Sequence, residues 1–150
     1  MALAHNFFSR PYFRFRTSPR THRQSAAVSG SPPAETGGLA GPGWQVTADP
    51  RLTVTVTPAA GVVTVVLAGE LDLVSRPVLA EQLELIGRDK PARIVFDLAG
   101  TLFADLGSTR LLVCGGSAAA GQPPVLRRPG PGVRRILQLT GLDAYCEIEG

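Results

Sequence analysis

The 150-residue sequence predicts an α/β fold: a mixed sheet of four to five strands with helices packed on it, in the order β β α β α β α β. Three observations carry this. Residues 62–68 (VVTVVLA) and 93–98 (RIVFDL) are short, nearly continuous apolar runs, the pattern of strands covered on both faces. Residues 52–57 alternate Leu, Thr, Val, Thr, Val, Thr, a period of two in β-branched residues that marks a half-buried strand. Between and after these runs lie stretches whose apolar residues recur at helical spacing.

Order is expected to begin near Trp44, and the strand at 52–57 comes first. Residues 58–61 (PAAG) read as a turn, so the strands on either side should form a hairpin. After Gly69-Glu70-Leu71-Asp72, Ser75 is placed to cap a helix with Pro77 in its first turn and Val78, Leu79, Leu83 and Ile86 on one face. Arg88-Asp89-Lys90-Pro91 breaks that helix. The strand at 93–98 follows, and strand, helix, strand implies a parallel pair joined by a right-handed crossover. Asp97 is expected near the carboxyl end of its strand, with 99–104 as a loop. A second helix over 105–120 should turn Leu111, Leu112, Ala118 and Ala119 inward, weakened in its middle by Gly115-Gly116. A short strand at 125–127 leads to a last helix opened by Pro131, with Val133, Ile136, Leu137 and Thr140 inside and Gly141 as its stop. Residues 144–148 form a final strand or stay extended.

Charge divides the chain. Residues 1–40 carry five arginines against Glu35 alone, a formal +4, whereas 41–150 sum to −1. Residues 1–43 are rich in Arg, Ser, Pro and Gly, too dense in turn formers for a helix or strand to propagate. They are expected to be a disordered basic leader, or translation from a start codon upstream of the true one, with the domain occupying 44–150. A near-neutral domain lacks the basic stripe that nucleic acid needs, so DNA and RNA are excluded as partners. No run of eighteen apolar residues is present, and stable membrane insertion is not expected. Cys114 and Cys146 read as buried reduced thiols. Both histidines, His5 and His22, fall in the leader. The carboxylates Asp72, Asp97 and Asp105, all expected at the sheet edge where sites gather, therefore have no histidine, paired cysteine or phosphate loop to support them. No metal, cofactor or catalytic residue is assigned, and the chain is not read as an enzyme.

The most informative segment is Ala104-Asp105-Leu106-Gly107-Ser108-Thr109, where the chain enters the second helix. Orphan N–H groups at a helix start favour an oxygen cap, and Asp105 is the candidate.

Three segments in this order resemble the STAS domain, shared by anti-sigma factor antagonists and the cytoplasmic tails of sulfate transporters. Gly69-Glu70-Leu71-Asp72-Leu73 is similar to the family's GELD signature. Asp97-Leu98-Ala99-Gly100, followed by Phe103 and Asp105, is similar to the loop DLSGVxFxDSSGL. Residues 129–142 (PGPGVRRILQLTGL) resemble the last-helix pattern PSPAVRRVLELTGL. The likeness spans roughly 50–149. It implies a STAS-like fold and a cytoplasmic regulator that binds an anti-sigma factor of the ATP-dependent serine kinase type, releasing a sigma factor for transcription.

In the family, the kinase switches its antagonist off by phosphorylating the first Ser of DSSGL, which places nearly two negative charges at the contact. Aligned without gaps, Asp105 falls on the family Asp, Leu106 on the phosphoacceptor, Gly107 on the second Ser, Ser108 on the Gly and Thr109 on the Leu. The resemblance thus implies a partner-binding surface of Asp72, Asp105, Leu106, Gly107, Ser108 and Thr109 with its phosphoacceptor lost at Leu106. Ser108 or Thr109, in a helix start expected to be exposed, is either a displaced acceptor or a cap. Asp72 either faces the partner or holds its loop by bonding backbone N–H groups. The alternative function is a non-signalling STAS scaffold or a subunit of a transport complex.

Overall fold

The computed structural model describes residues 42–48 and 51–150. Up to residue 41, the expected leader lies outside the described residues, as do both histidines. Six strands form one sheet in sequential order: β1 (Trp44–Ala48), β2 (Leu52–Ala59), β3 (Val62–Leu71), β4 (Arg93–Ala104), β5 (Val125–Arg127) and β6 (Glu147–Glu149). β1 to β3 pair antiparallel, and β3 to β6 pair parallel. Helix α1 (Arg76–Arg88) joins β3 to β4, α2 (residues 106–120) joins β4 to β5, and α3 (Pro131–Thr140) with a 3₁₀ turn (Leu142–Tyr145) joins β5 to β6. The mixed α/β fold is the one expected, with one strand more.

That additional strand, β1, is too short for a periodic signal. It is held by its ladder to β2 and by Trp44, whose indole N–H donates to Gln82 Oε1 of α1 at 2.7 Å. The sheet is covered on one face. Leu52, Val54 and Val56 of β2 align with Val63, Val65 and Leu67 of β3 and with Ile94, Phe96 and Leu98 of β4 to form the buried row. On the opposite face Thr53 and Thr55 are half-buried and Val66 is exposed, so β3 is not covered on both faces as its apolar run suggests. Threonine and valine suit such a surface because β-branching favours the pleated strand irrespective of burial.

β4 runs on through the expected loop at 99–104. Two register shifts against β3 absorb the irregular stretch, and Gly100 admits the close approach of Ala68, since a Cβ there would stand 3.1 Å from Ala68 Cβ. Asp97 consequently lies in mid-strand and not at the carboxyl edge. It is buried on the open face, where it pairs with Arg128. Burial opposes its charge, but the Ala99 N–H and the guanidinium of Arg128 outweigh that and hold its pKa below the ordinary value.

α2 is the middle helix, flanked by α1 and α3. Its centre, Leu111–Gly115, is wound as a π turn, and Leu111, Leu112 and Val113 are all buried. Three consecutive inward residues cannot share one face of a regular helix at 100° per residue; contact with the sheet and two neighbouring helices uses all three. The extra residue also shifts the phase, so Ala118, expected inside, is exposed. The glycine pair is part of the packing. A Cβ at Gly116 would lie 2.7 Å from the Phe96 ring, and one at Gly115 would lie 2.9 Å from Leu83 and Leu111. Cys114 and Cys146 are half-buried free thiols, and burial pushes both pKa values up, that of Cys146 to about 11. No helix among the described residues is long and apolar enough to cross a membrane.

Candidate functional site

The site is assembled where β3 and β4 end side by side. Leu71 pairs with Ala104, and the Asp105 N–H donates to the Leu71 carbonyl at 3.0 Å. The two chain exits, Asp72 into α1 and Asp105 into α2, are therefore neighbours, at the carboxyl edge of parallel strands where α/β sheets place their sites.

Asp105 is the cap of α2. Its backbone is extended, and its Oδ1 accepts the Ser108 N–H at 2.7 Å. Arg76, the first residue of α1, reaches across to it: Nη2 donates to both Asp105 oxygens, at 3.0 and 2.9 Å, and Nε donates to Ser108 Oγ at 3.3 Å. Gly107 makes room for this guanidinium, because a Cβ there would fall 2.5 Å from Arg76 Cζ. Asp72 organises the other exit. Its Oδ1 accepts the N–H groups of Val74 and Ser75, at 2.9 and 3.0 Å. Ser75 does not cap α1 with its side chain; its hydroxyl donates to the Glu70 carbonyl at 2.7 Å and accepts the Asp72 N–H. The hydroxyl is free to close the turn behind it because Pro77 has no N–H to cap and the Val78 N–H is already bonded to the Ser75 carbonyl at 3.1 Å. The Ser75 N–H bond is the main cause that lowers the Asp72 pKa.

Ser108 and Thr109 have no exposed surface, contrary to the exposed helix start expected. Ser108 Oγ faces Arg76, and the Thr109 hydroxyl donates back to the Asp105 carbonyl at 2.9 Å. Leu106, in contrast, is 53% exposed. Leu73, Val74, Leu102 and Phe103, also exposed, lie in the segments leading into and out of the same two exits. Five large apolar side chains in two adjacent exits exceed the scatter of single hydrophobes normal on a surface, and such patches mark interaction sites. Sequence reading singled out Leu106 and missed Leu102 and Arg76: the first stood in an expected loop, and the second acts on a residue 29 positions away. The available signal was an apolar pair, Leu102-Phe103, one residue short of the cap.

Burial opposes the Asp105 charge, but the Ser108 and Arg76 hydrogen bonds prevail and hold its pKa below the ordinary 3.8. A carboxylate with a depressed folded pKa adds stability that is complete above its ordinary pKa and is lost as pH falls through the lowered one. Asp105→Ala is expected to cost about 1–2 kcal/mol near neutral pH, with a difference from the parent that narrows in acid. Urea unfolding of both proteins between pH 7 and about pH 2 measures it. Among the described residues no cluster of three or more His, Cys, Asp or Glu could hold a metal ion.

No family model and no curated protein matches the sequence. Solved structures do. An anti-sigma factor antagonist from Mycobacterium paratuberculosis superposes with a TM-score of 0.57 at 27% identity, over 69% of this chain and 90% of that one. The anti-sigma factor antagonist SpoIIAA in its unphosphorylated form gives 0.55 at 20% identity, over 65% and 88% of the two chains. The phosphorylated form of SpoIIAA, described as a Bacillus cell fate determinant, gives 0.51 at 20% identity, over 65% and 91%. The described residues and these neighbours share one architecture: the chain has the STAS-like α/β fold of the anti-sigma factor antagonists.

Proposed function

We propose that the chain is an anti-sigma factor antagonist. In this reading it binds an anti-sigma factor of the serine kinase type in the cytoplasm, releases a sigma factor, and is not controlled by phosphorylation at the helix start. The contact surface is built on Asp72, Asp105, Leu106 and Gly107, with Leu106 touching the partner; Ser108 and Thr109, which have no exposed surface, shape the helix start from beneath. Leu73, Val74, Leu102 and Phe103 extend it. One observation carries the reading: an exposed leucine sits directly after the cap, at an edge where four more large apolar side chains are exposed, while both nearby hydroxyls are buried. A kinase needs an accessible hydroxyl, and phosphate on either buried one would require the helix start to open.

The experiment mixes the full chain with candidate anti-sigma serine kinases, magnesium and ATP, and follows complex formation by gel filtration and the chain's mass by spectrometry. The expected result is a complex that survives ATP, with the chain unmodified. Stoichiometric phosphate on Ser108 or Thr109, accompanied by release of the kinase, would overturn constitutive binding.

A further inference from the structure

An apolar groove starts beside this surface and continues between α1 and α2. Its mouth, about 460 Å³, is lined by Leu73, Pro77, Ala80 and Leu111, with Arg76 and Arg110 at the rim. Beyond the shared Ala80 and Leu111 it runs on as a smaller cavity of about 210 Å³ over Leu83, Gly115 and Ala118, and ends by Gly87 and Glu84. The groove tapers because α1 and α2 approach at its far end, where a Cβ on Gly87 would touch Ala119 at 3.4 Å. From Arg76 to Gly87 the floor follows α1 for about 16 Å at 1.5 Å per residue.

Three features select an occupant. The floor has no polar side chain between the arginines at one end and Glu84 at the other. The backbone of both walls is already bonded within its own helices, so an extended segment would find no partners for its N–H and C=O groups, whereas a helix brings its own. A length of about 16 Å also matches apolar anchors at i, i+4, i+7 and i+11 of a helix. Charge sets the direction. Arg76 is neutralised by Asp105, but Arg110 is exposed and, among the described residues, is in no ion pair; the same holds for Glu84 at the far end. A helix C-terminus carries partial negative charge and its N-terminus partial positive charge.

We propose that the groove between α1 and α2 receives an amphipathic helix of the protein partner, with its N-terminus at Glu84, its C-terminus at Arg110, small anchors in the narrow end and larger ones in the mouth. The inference rests on reading the adjoining patch as a protein-binding surface, and it names the kind of element that surface takes.

Two fluorescein-labelled peptides of about 16 residues, each locked helical by a lactam on its outer face, test it by anisotropy against the full chain at low salt. Both carry Ala at the first two anchors and Leu at the last two. One has Lys at its N-terminal end and Glu at its C-terminal end, and the other has these exchanged. The first is expected to bind at least about tenfold tighter. Arg110→Glu should erase or invert that ratio, and Ala80→Phe, which fills the mouth, should weaken binding about tenfold or more. Circular dichroism checks both variants for folding, and Arg110→Glu, at an exposed position, serves if Ala80→Phe does not fold. Equal affinity for the two peptides, no saturable binding up to about 100 µM, or binding indifferent to both substitutions would overturn the proposal. A chain that fails here yet still holds an anti-sigma factor through Leu106 leaves the antagonist reading standing.

Discussion

Gly69→Ala is expected to lower the stability of the domain by roughly 3–5 kcal/mol, the largest single-methyl effect in the described fold. Gly69 ends the antiparallel ladder of β3, opposite Leu52, and its φ of +115° is outside the range that a side chain tolerates. A Cβ there would come within 1.8 Å of the Arg51 carbonyl oxygen and 2.9 Å of its carbon. These are backbone atoms of the residue that leads into β2 and cannot step aside as a flexible side chain would. Backbone strain of about 1–3 kcal/mol and a displaced strand of about the same cost therefore add. In thermal unfolding by circular dichroism the midpoint should fall by roughly 15–30 °C. Gly121→Ala provides the internal comparison. That residue also has positive φ, +68°, but nothing lies within 4 Å of its would-be Cβ, so the cost should be only about 1 kcal/mol. If the two substitutions cost the same, the close approach to Arg51 is not what requires glycine at position 69.

The contrast between these glycines shows which parts of the fold could be read from local sequence. Gly121 and Gly141 end helices, and a stop signal for a helix is written within one turn of it. The same locality exposes the alternation of β2, the proline openings of α1 and α3, and the cap at Asp105, each of which involves residues at most four apart. What sequence could not display depends on distant partners. β1 is a strand because β2 offers it a ladder. β4 reaches Ala104 because β3 accommodates two register shifts. The centre of α2 is wound as a π turn because it touches the sheet and two helices at once. At the site, the capping carboxylate was legible, but its pairing with Arg76 was not. That pairing depends on β3 and β4 ending side by side. The burial of Ser108 and Thr109 follows from the same juxtaposition, since the guanidinium covers one hydroxyl and the helix start folds the other back on its own carbonyl. Hydroxyls in a helix start look accessible in sequence, and here tertiary packing decides otherwise.

Leu106→Asp is expected to weaken binding to the anti-sigma factor by about a hundredfold, or roughly 3 kcal/mol, without unfolding the domain. Leu106 is the first residue of α2 after its cap, and a carboxylate in the first turn of a helix interacts favourably with the unpaired N–H groups there. The domain should therefore keep its thermal midpoint or gain slightly. The interface responds in the opposite direction. In the proposed contact a leucine that is 53% exposed in the free chain loses that area to the partner, and an aspartate in its place must be stripped of water without a matching charge. Leu106→Ser separates the two contributions. It removes the apolar contact without adding charge and should cost about tenfold. It also puts an accessible hydroxyl beside Gly107, so if the partner is the serine kinase proposed above, incubation with it and ATP should now add phosphate and reduce binding further, as the aspartate does from the outset. Affinities of the parent and both variants by calorimetry, with thermal midpoints measured in parallel, decide the matter. Aspartate and leucine forms that bind alike would show that position 106 lies outside the contact. Loss of binding together with a large fall in midpoint would show that the leucine supports the fold and not the partner.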